Sequence, residues 1–202
     1  MEADKYKEKV LKNIKNDIVE KYILLLLASS NCELIDGKTK LMKELFFISK
    51  NVPKLEEKAD FQADNFGPSS DIVIERLEQL KSMGLIDDRN NKYILTSVGK
   101  EFLTELYKNT SMNDLKVIDH MKGLFNQLSE DEILGIVYTD YPEMTRASLV
   151  KNKIKNKKLS IAINLLKKGK VSIGKAAKIA DMPIDVFYDK LKELGVKVEM
   201  GY

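Results

Sequence analysis

Apolar residues recur at helical spacing through most of the chain. Val10, Ile14, Ile18 and Tyr22 stand four residues apart among good helix formers, which predicts a helix over 5–28. Leu41, Leu45 and Ile48, with Phe46 beside them, predict a second helix over 38–49, ended by Val52-Pro53. A third starts at Gly67-Pro68-Ser69-Ser70, where a serine can cap the open N–H groups. It carries Val73, Leu77 and Leu80 inward and stops at Gly84. The pattern then changes. Leu85-Ile86-Asp87 and Lys92-Tyr93-Ile94-Leu95 are short apolar runs around the polar turn Asp88-Arg89-Asn90-Asn91, as in a β-hairpin. Thr96 opens a further helix over 97–107.

Helix, helix, helix, hairpin, helix is the order of a winged-helix domain, with the hairpin as wing and 69–83 in the recognition-helix position. Beyond the polar break at 109–113, helices are expected over 114–128 and from the capping box Ser129–Glu132 to Tyr138. Tyr141-Pro142 stops the latter. A short amphipathic helix over 159–168 ends at Gly169. Two more helices, 173–180 and 184–194, flank the tight turn Asp181-Met182-Pro183. The first contains Ala176-Ala177, small enough for a close crossing, and the second is expected to bury Ile184, Phe187, Leu191 and Leu194. This is the sequence form of a helix-turn-helix. The last residues, 196–202, read as a short strand or a tail.

The expected architecture is therefore mainly α: a winged helix with a short β-hairpin wing (1–108), a helical connector with a basic linker (109–156), and a C-terminal helix-turn-helix (157–202).

Charge sharpens this picture. The formal net charge is only +3, yet 144–180 contains no Asp or Glu and eleven cations, from Arg146 to Lys178. Such segregation suits a polyanion, or else a solvated lysine-rich helix and linker. The chain's 202 residues suffice for one or two domains. Its single Cys32 fits a reducing compartment and reads as a packing residue. No apolar run approaches the ~20 residues of a membrane span, and the acidic N-terminus lacks a signal-peptide core. A cytoplasmic protein without membrane contact is expected.

No catalytic constellation is visible. The only histidine, His120, lies on a predicted helix, far in sequence from Cys32, and no zinc spacing, phosphate loop or dinucleotide fingerprint occurs. The acids Glu130-Asp131-Glu132 are explained by helix capping and the helix dipole. No metal, cofactor or enzymatic activity is expected.

Two stretches resemble known families. Gly37-Lys-Thr-Lys-Leu41, Lys43-Glu-Leu-Phe-Phe47, Phe66-Gly-Pro-Ser-Ser70, Leu80-Lys-Ser-Met-Gly-Leu-Ile86 and Tyr93-Ile-Leu-Thr-Ser-Val-Gly99 together resemble the Panacea-type winged-helix domains found among antitoxins and related prokaryotic regulators. Gly169-Lys-Val-Ser172, Gly174-Lys-Ala-Ala177, Ala180, Met182, Phe187, Leu191 and Gly195 are similar to small prokaryotic helix-turn-helix proteins that pair with toxins. Asp181 departs from the glycine usual at that turn, although Asp can adopt a positive φ at some cost. Both resemblances imply binding and regulation, with toxin neutralisation as one form of it.

For double-stranded DNA the candidates are Lys167, Lys168, Lys170, Lys175 and Lys178 on phosphates, with Tyr188 and Lys192 nearest the bases. The acids Asp185 and Asp189 weaken direct readout there. In the first module Ser69, Ser70, Asp71, Glu75 and Glu78 form an acidic surface poorly suited to DNA, which points to contact with a protein partner such as a toxin or to plain domain packing. Two readings remain open: a DNA-associated regulator acting as a homodimer, and a protein-interaction adaptor or toxin-neutralising protein that never touches DNA.

Overall fold

A computed structural model describes residues 2–196, with side chains from residue 5 onward. The expected strand or tail at the C-terminus lies outside the described residues. The chain is mainly helical, with small sheets, and no helix among the described residues is long and apolar enough to cross a membrane. Described residues 2–62 and 68–127 form one compact unit, and 63–67 with 128–196 form a second.

In the first unit the helix expected over 5–28 is two helices, α1 (Glu2–Asn16) and α2 (Ile18–Cys32). Asp17 makes the break. Its backbone is extended (φ −96°, ψ 104°) and its carboxylate accepts from the N–H groups of Val19 and Glu20. An N-cap placed inside an apolar repeat overrides the repeat because it satisfies donors that a new helix leaves open. Helix α2 is buried along 19–28 apart from Lys21 and forms the centre of this unit. It ends in three consecutive residues with positive φ, Ser30, Asn31 and Cys32. The Asp119 carboxylate accepts from the Ser30 N–H and hydroxyl, and Lys122 donates to the carbonyls of Leu27 and Ser29.

The chain continues through β1 (Ile35–Asp36) and α3 (Lys38–Ser49). Pro53 does more than end α3, because it occupies the first turn of a short helix, α4 (Pro53–Ala59), where its missing N–H costs nothing. Then follow β2 (Gln62–Asp64), β3 (Gly67–Ser69) and α5 (Asp71–Ser82). Gly84 (φ 69°) closes α5 as its sequence position predicts, with Leu85 N–H bonded back to Leu80 O.

The hairpin is present as β4 (Ile86–Asp87) and β5 (Lys92–Leu95), antiparallel, with Ile86 opposite Leu95. It is not alone, because β1 pairs with the other edge of β5 (Ile35 opposite Tyr93), giving the order β1-β5-β4. Two residues are too short a stretch for β1 to show an alternation in sequence. The helix expected over 97–107 is broken into α6 (Ser97–Lys100) and α7 (Leu103–Lys108), and α8 (Met112–Phe125) completes the unit. Phe46 meets Phe47 and Phe61 edge-on, at centroid distances of 5.6 and 5.4 Å, and Phe47 reaches Phe125 at 4.9 Å.

The second unit holds α9 (Glu130–Asp140), α10 (Lys151–Lys167), α11 (Ile173–Ala180) and α12 (Ile184–Glu193). The capping box at Ser129 and Glu132 is formed in both directions. Gly135 lets α10 approach α9 closely, since a Cβ there would lie 2.6 Å from Ile161 Cγ2. Helix α10 corrects the expected basic linker. The lysine-rich residues before 159 are helical because Ile154 lies seven and eight residues before Ile161 and Ala162, and all three are buried on one side. The charges of that segment stand on the outer face of a helix.

Candidate nucleic-acid interface

Helices α11 and α12 meet across the turn at Asp181, which adopts the left-handed conformation (φ 60°, ψ 42°). Ala176 and Ala177 are buried at the crossing, and Phe187 and Leu191 anchor α12 from the other side. Ser172 caps α11 by accepting from Lys175 N–H. The expected buried face of α12 is half right. Ile184 and Leu194 are 54% and 52% exposed, at the first residue of α12 and at its C-cap.

The eleven cations of 144–180 divide into two groups. Several are held by acids within the same unit. Lys168 Nζ lies 2.7 Å from Glu132 Oε2, and Lys175 is hydrogen-bonded to Asp140. Lys153 and Lys157 share Asp131, at 2.8 and 2.6 Å, and Lys158 reaches Asp181 at 2.9 Å. Burial by itself would raise the Glu132 carboxyl, but hydrogen bonds from Lys168 and Ser129 outweigh it and hold the group below its ordinary value. Lys168 and Lys175 therefore tie α10 and α11 to α9. Their partners are 35 or more residues away in sequence, so no local pattern reveals them.

The second group carries no ion pair among the described residues: Lys167 at the end of α10, Lys170 just before the α11 cap, and Lys178 on the exposed face of α11, with Arg146, Lys151 and Lys155 further along. On α12 the Lys192 ammonium lies 4.5 Å over the Tyr188 ring and 3.4 Å from Asp189. Glu193 pairs with Lys190. Of the four acids following Ala180 within the described residues, only Asp185 has no cation beside it.

On the first unit, the acidic surface expected on α5 is smaller than the sequence suggests. Ser70 is buried and corrects its assignment to a partner surface. Its hydroxyl caps α5 by accepting from Val73 N–H and donates to Ala59 O. Ser69 is half-buried, and Asp71, Glu75 and Glu78 are exposed. Glu75 pairs with Arg76 and Glu78 with Lys81, and Arg76 itself reaches back to Asp17 at 2.6 Å. Cys32 is half-buried with its thiol near Ala28 O, and His120 is exposed on α8.

A model of an uncharacterised protein family, UPF0175, matches residues 137–201, which span the end of α9, all of α10 to α12 and the residues beyond. No curated protein and no solved structure matches the chain.

Proposed function

We propose that this protein is a non-enzymatic, DNA-associated regulator of the antitoxin or repressor kind, with α11 and α12 acting as a helix-turn-helix. The observation that carries this reading is the presence of three unpaired lysines, Lys167, Lys170 and Lys178, around α11, while the neighbouring lysines are held by internal acids. Unpaired cations need not break an internal bond before meeting phosphate. Phosphate contact is therefore assigned to these three. Lys168 and Lys175 serve to hold the unit together, and Tyr188 with Lys192 lies nearest the bases.

The first unit is read as a winged-helix body. Its sheet order β1-β5-β4, with α5 entering the hairpin, supports that reading. Its α5 surface, with Asp71 as the acid lacking an ion pair, suits a protein partner better than phosphate. Homodimerisation fits a short recognition helix, because paired half-sites multiply a weak single contact.

A second reading rests on α12. Ile184, Val186 and Leu194 are each at least half exposed, where a base-reading helix would carry polar groups. That favours a protein, a toxin or a second copy, on this helix. Fluorescence anisotropy with mixed-sequence duplex DNA over a range of salt separates the two readings. The regulator binds with a steep salt dependence that the Lys167, Lys170 and Lys178 to Gln triple variant flattens by roughly 2–3 in log–log slope. An adaptor shows no binding even at low salt.

A further inference from the structure

The first unit contains a cavity of about 410 Å³ where the end of α1, the start of α2, α4 and α5 come together. Its wall carries five cations, Lys15, Lys21, Lys54, Lys58 and Arg76, against one acid, Asp17. Asp17 is fully engaged, accepting from two backbone N–H groups of α2 and from Arg76. Three of the cations have acid partners: Arg76 with Asp17 and Glu75, Lys15 with Glu105 at 2.9 Å, and Lys58 with Glu57 at 2.8 Å.

Lys21 and Lys54 have no ion pair among the described residues. Lys21 is half-buried. Its ammonium donates to the carbonyl of Asn109 at 3.3 Å and lies 5.3 Å over the Tyr22 ring. Burial, and then the charge of Lys54, push it below its ordinary value, partly offset by Asp114. Glu20, next to the cavity on α2, is raised by burial and by Asp17 and lowered by Arg76. Two like charges thus line one concave site. Ile18 and Ile72 add apolar lining.

We propose that this cavity binds a small phosphorylated molecule of nucleotide size. Its phosphates bridge Lys21 and Lys54, and its less polar body rests on Ile18 and Ile72. The volume lies within the usual range for small-molecule sites. Several separated ammonium groups suit the spread charge of a di- or triphosphate better than a single carboxylate. A concavity of about 410 Å³ matches a small molecule and not the breadth of a duplex, so the occupant is a free small molecule rather than DNA. The proposal concerns the first unit alone and stands apart from the DNA reading of the second.

The test is calorimetric titration of the full chain with ADP and with inorganic pyrophosphate at low salt. The wild type, Lys54→Gln, Lys21→Gln/Lys54→Gln, and the Lys167, Lys170 and Lys178 to Gln variant would be compared. Lys54 is exposed, so its replacement leaves folding intact, and far-UV circular dichroism checks the double variant. Both probes saturate in the wild type, ADP more tightly than pyrophosphate. Affinity falls about tenfold in Lys54→Gln, equivalent to about 1.4 kcal/mol, and further in the double variant. It is unchanged when the second-unit lysines are replaced. Absence of saturable binding overturns the proposal. So does equal affinity in the double variant, or loss of binding in the second-unit variant instead.

Discussion

Glu44 lies in the middle of α3 with no exposed surface, and neither carboxylate oxygen has a hydrogen-bond partner. Burial pushes its pKa up to about 8, although Lys40 and Lys122 pull it down and Glu33 adds to the rise. Between the ordinary value of 4.5 and about 8, the unfolded chain has given up this proton while the folded chain keeps it. Stability therefore falls as pH rises through that window and levels off above it. A displacement of this size corresponds to roughly 4–5 kcal/mol as an upper bound, at about 1.4 kcal/mol per pH unit. Glu44→Gln keeps the shape of the neutral acid and removes the titration. The variant matches wild type near pH 5 and exceeds it by several kcal/mol near pH 8.5 on this account. Urea unfolding followed by far-UV circular dichroism across that range reads the difference. Lys122, lowered by burial and partly restored by the charge of Glu44, acts in the opposite sense on the alkaline side. Parallel stability curves for the two proteins would refute the assignment, as would a variant that is less stable at alkaline pH.

Three other changes are informative. Gly99→Ala places a Cβ 2.2 Å from Leu85 O and 2.7 Å from Leu95 Cδ1, so the hairpin and α6 must part, at a cost of about 1–3 kcal/mol in urea unfolding. Asp17→Ala removes the α2 cap and the Arg76 ion pair and costs about 1–2 kcal/mol by the same assay. Asp181→Gly relieves a left-handed residue at the α11–α12 turn, and hydrogen exchange of the α11 and α12 amides slows by an amount equivalent to about 0.5–1 kcal/mol. Faster exchange would show that the Lys158 contact matters more than the backbone.

Elements with their own local signals were legible in the sequence. The capping box at Ser129, the Gly84 stop and the hairpin turn each satisfy their backbone groups within a few residues and form as read, and of the two serines that could cap α5 it is Ser70 that does. The boundary at Asp17 was hidden because the apolar repeat runs through it, and the cap competes locally with the repeat. Helix α10 was obscured by its own charge, since only Ile154 marks the buried side across its first two turns. The basic block was visible as composition, but not which lysines stay open. Lys168 and Lys175 look like Lys167 and Lys178 in sequence, and differ only because Glu132 and Asp140 of α9 fold against them. Glu44 gave no sign of burial, since an acid beside Lys43 on a helix usually faces water.

The second unit is proposed to meet DNA through Lys167, Lys170 and Lys178. Anisotropy of labelled duplex DNA, titrated with wild type and with the triple Gln variant at several salt concentrations, tests it most directly. Wild type should bind with marked salt sensitivity, the triple variant should lose most of that affinity and slope, and a Lys168→Gln protein that remains folded should bind nearly as wild type does. Absence of binding by wild type at low salt, or equal binding by the triple variant, would contradict it.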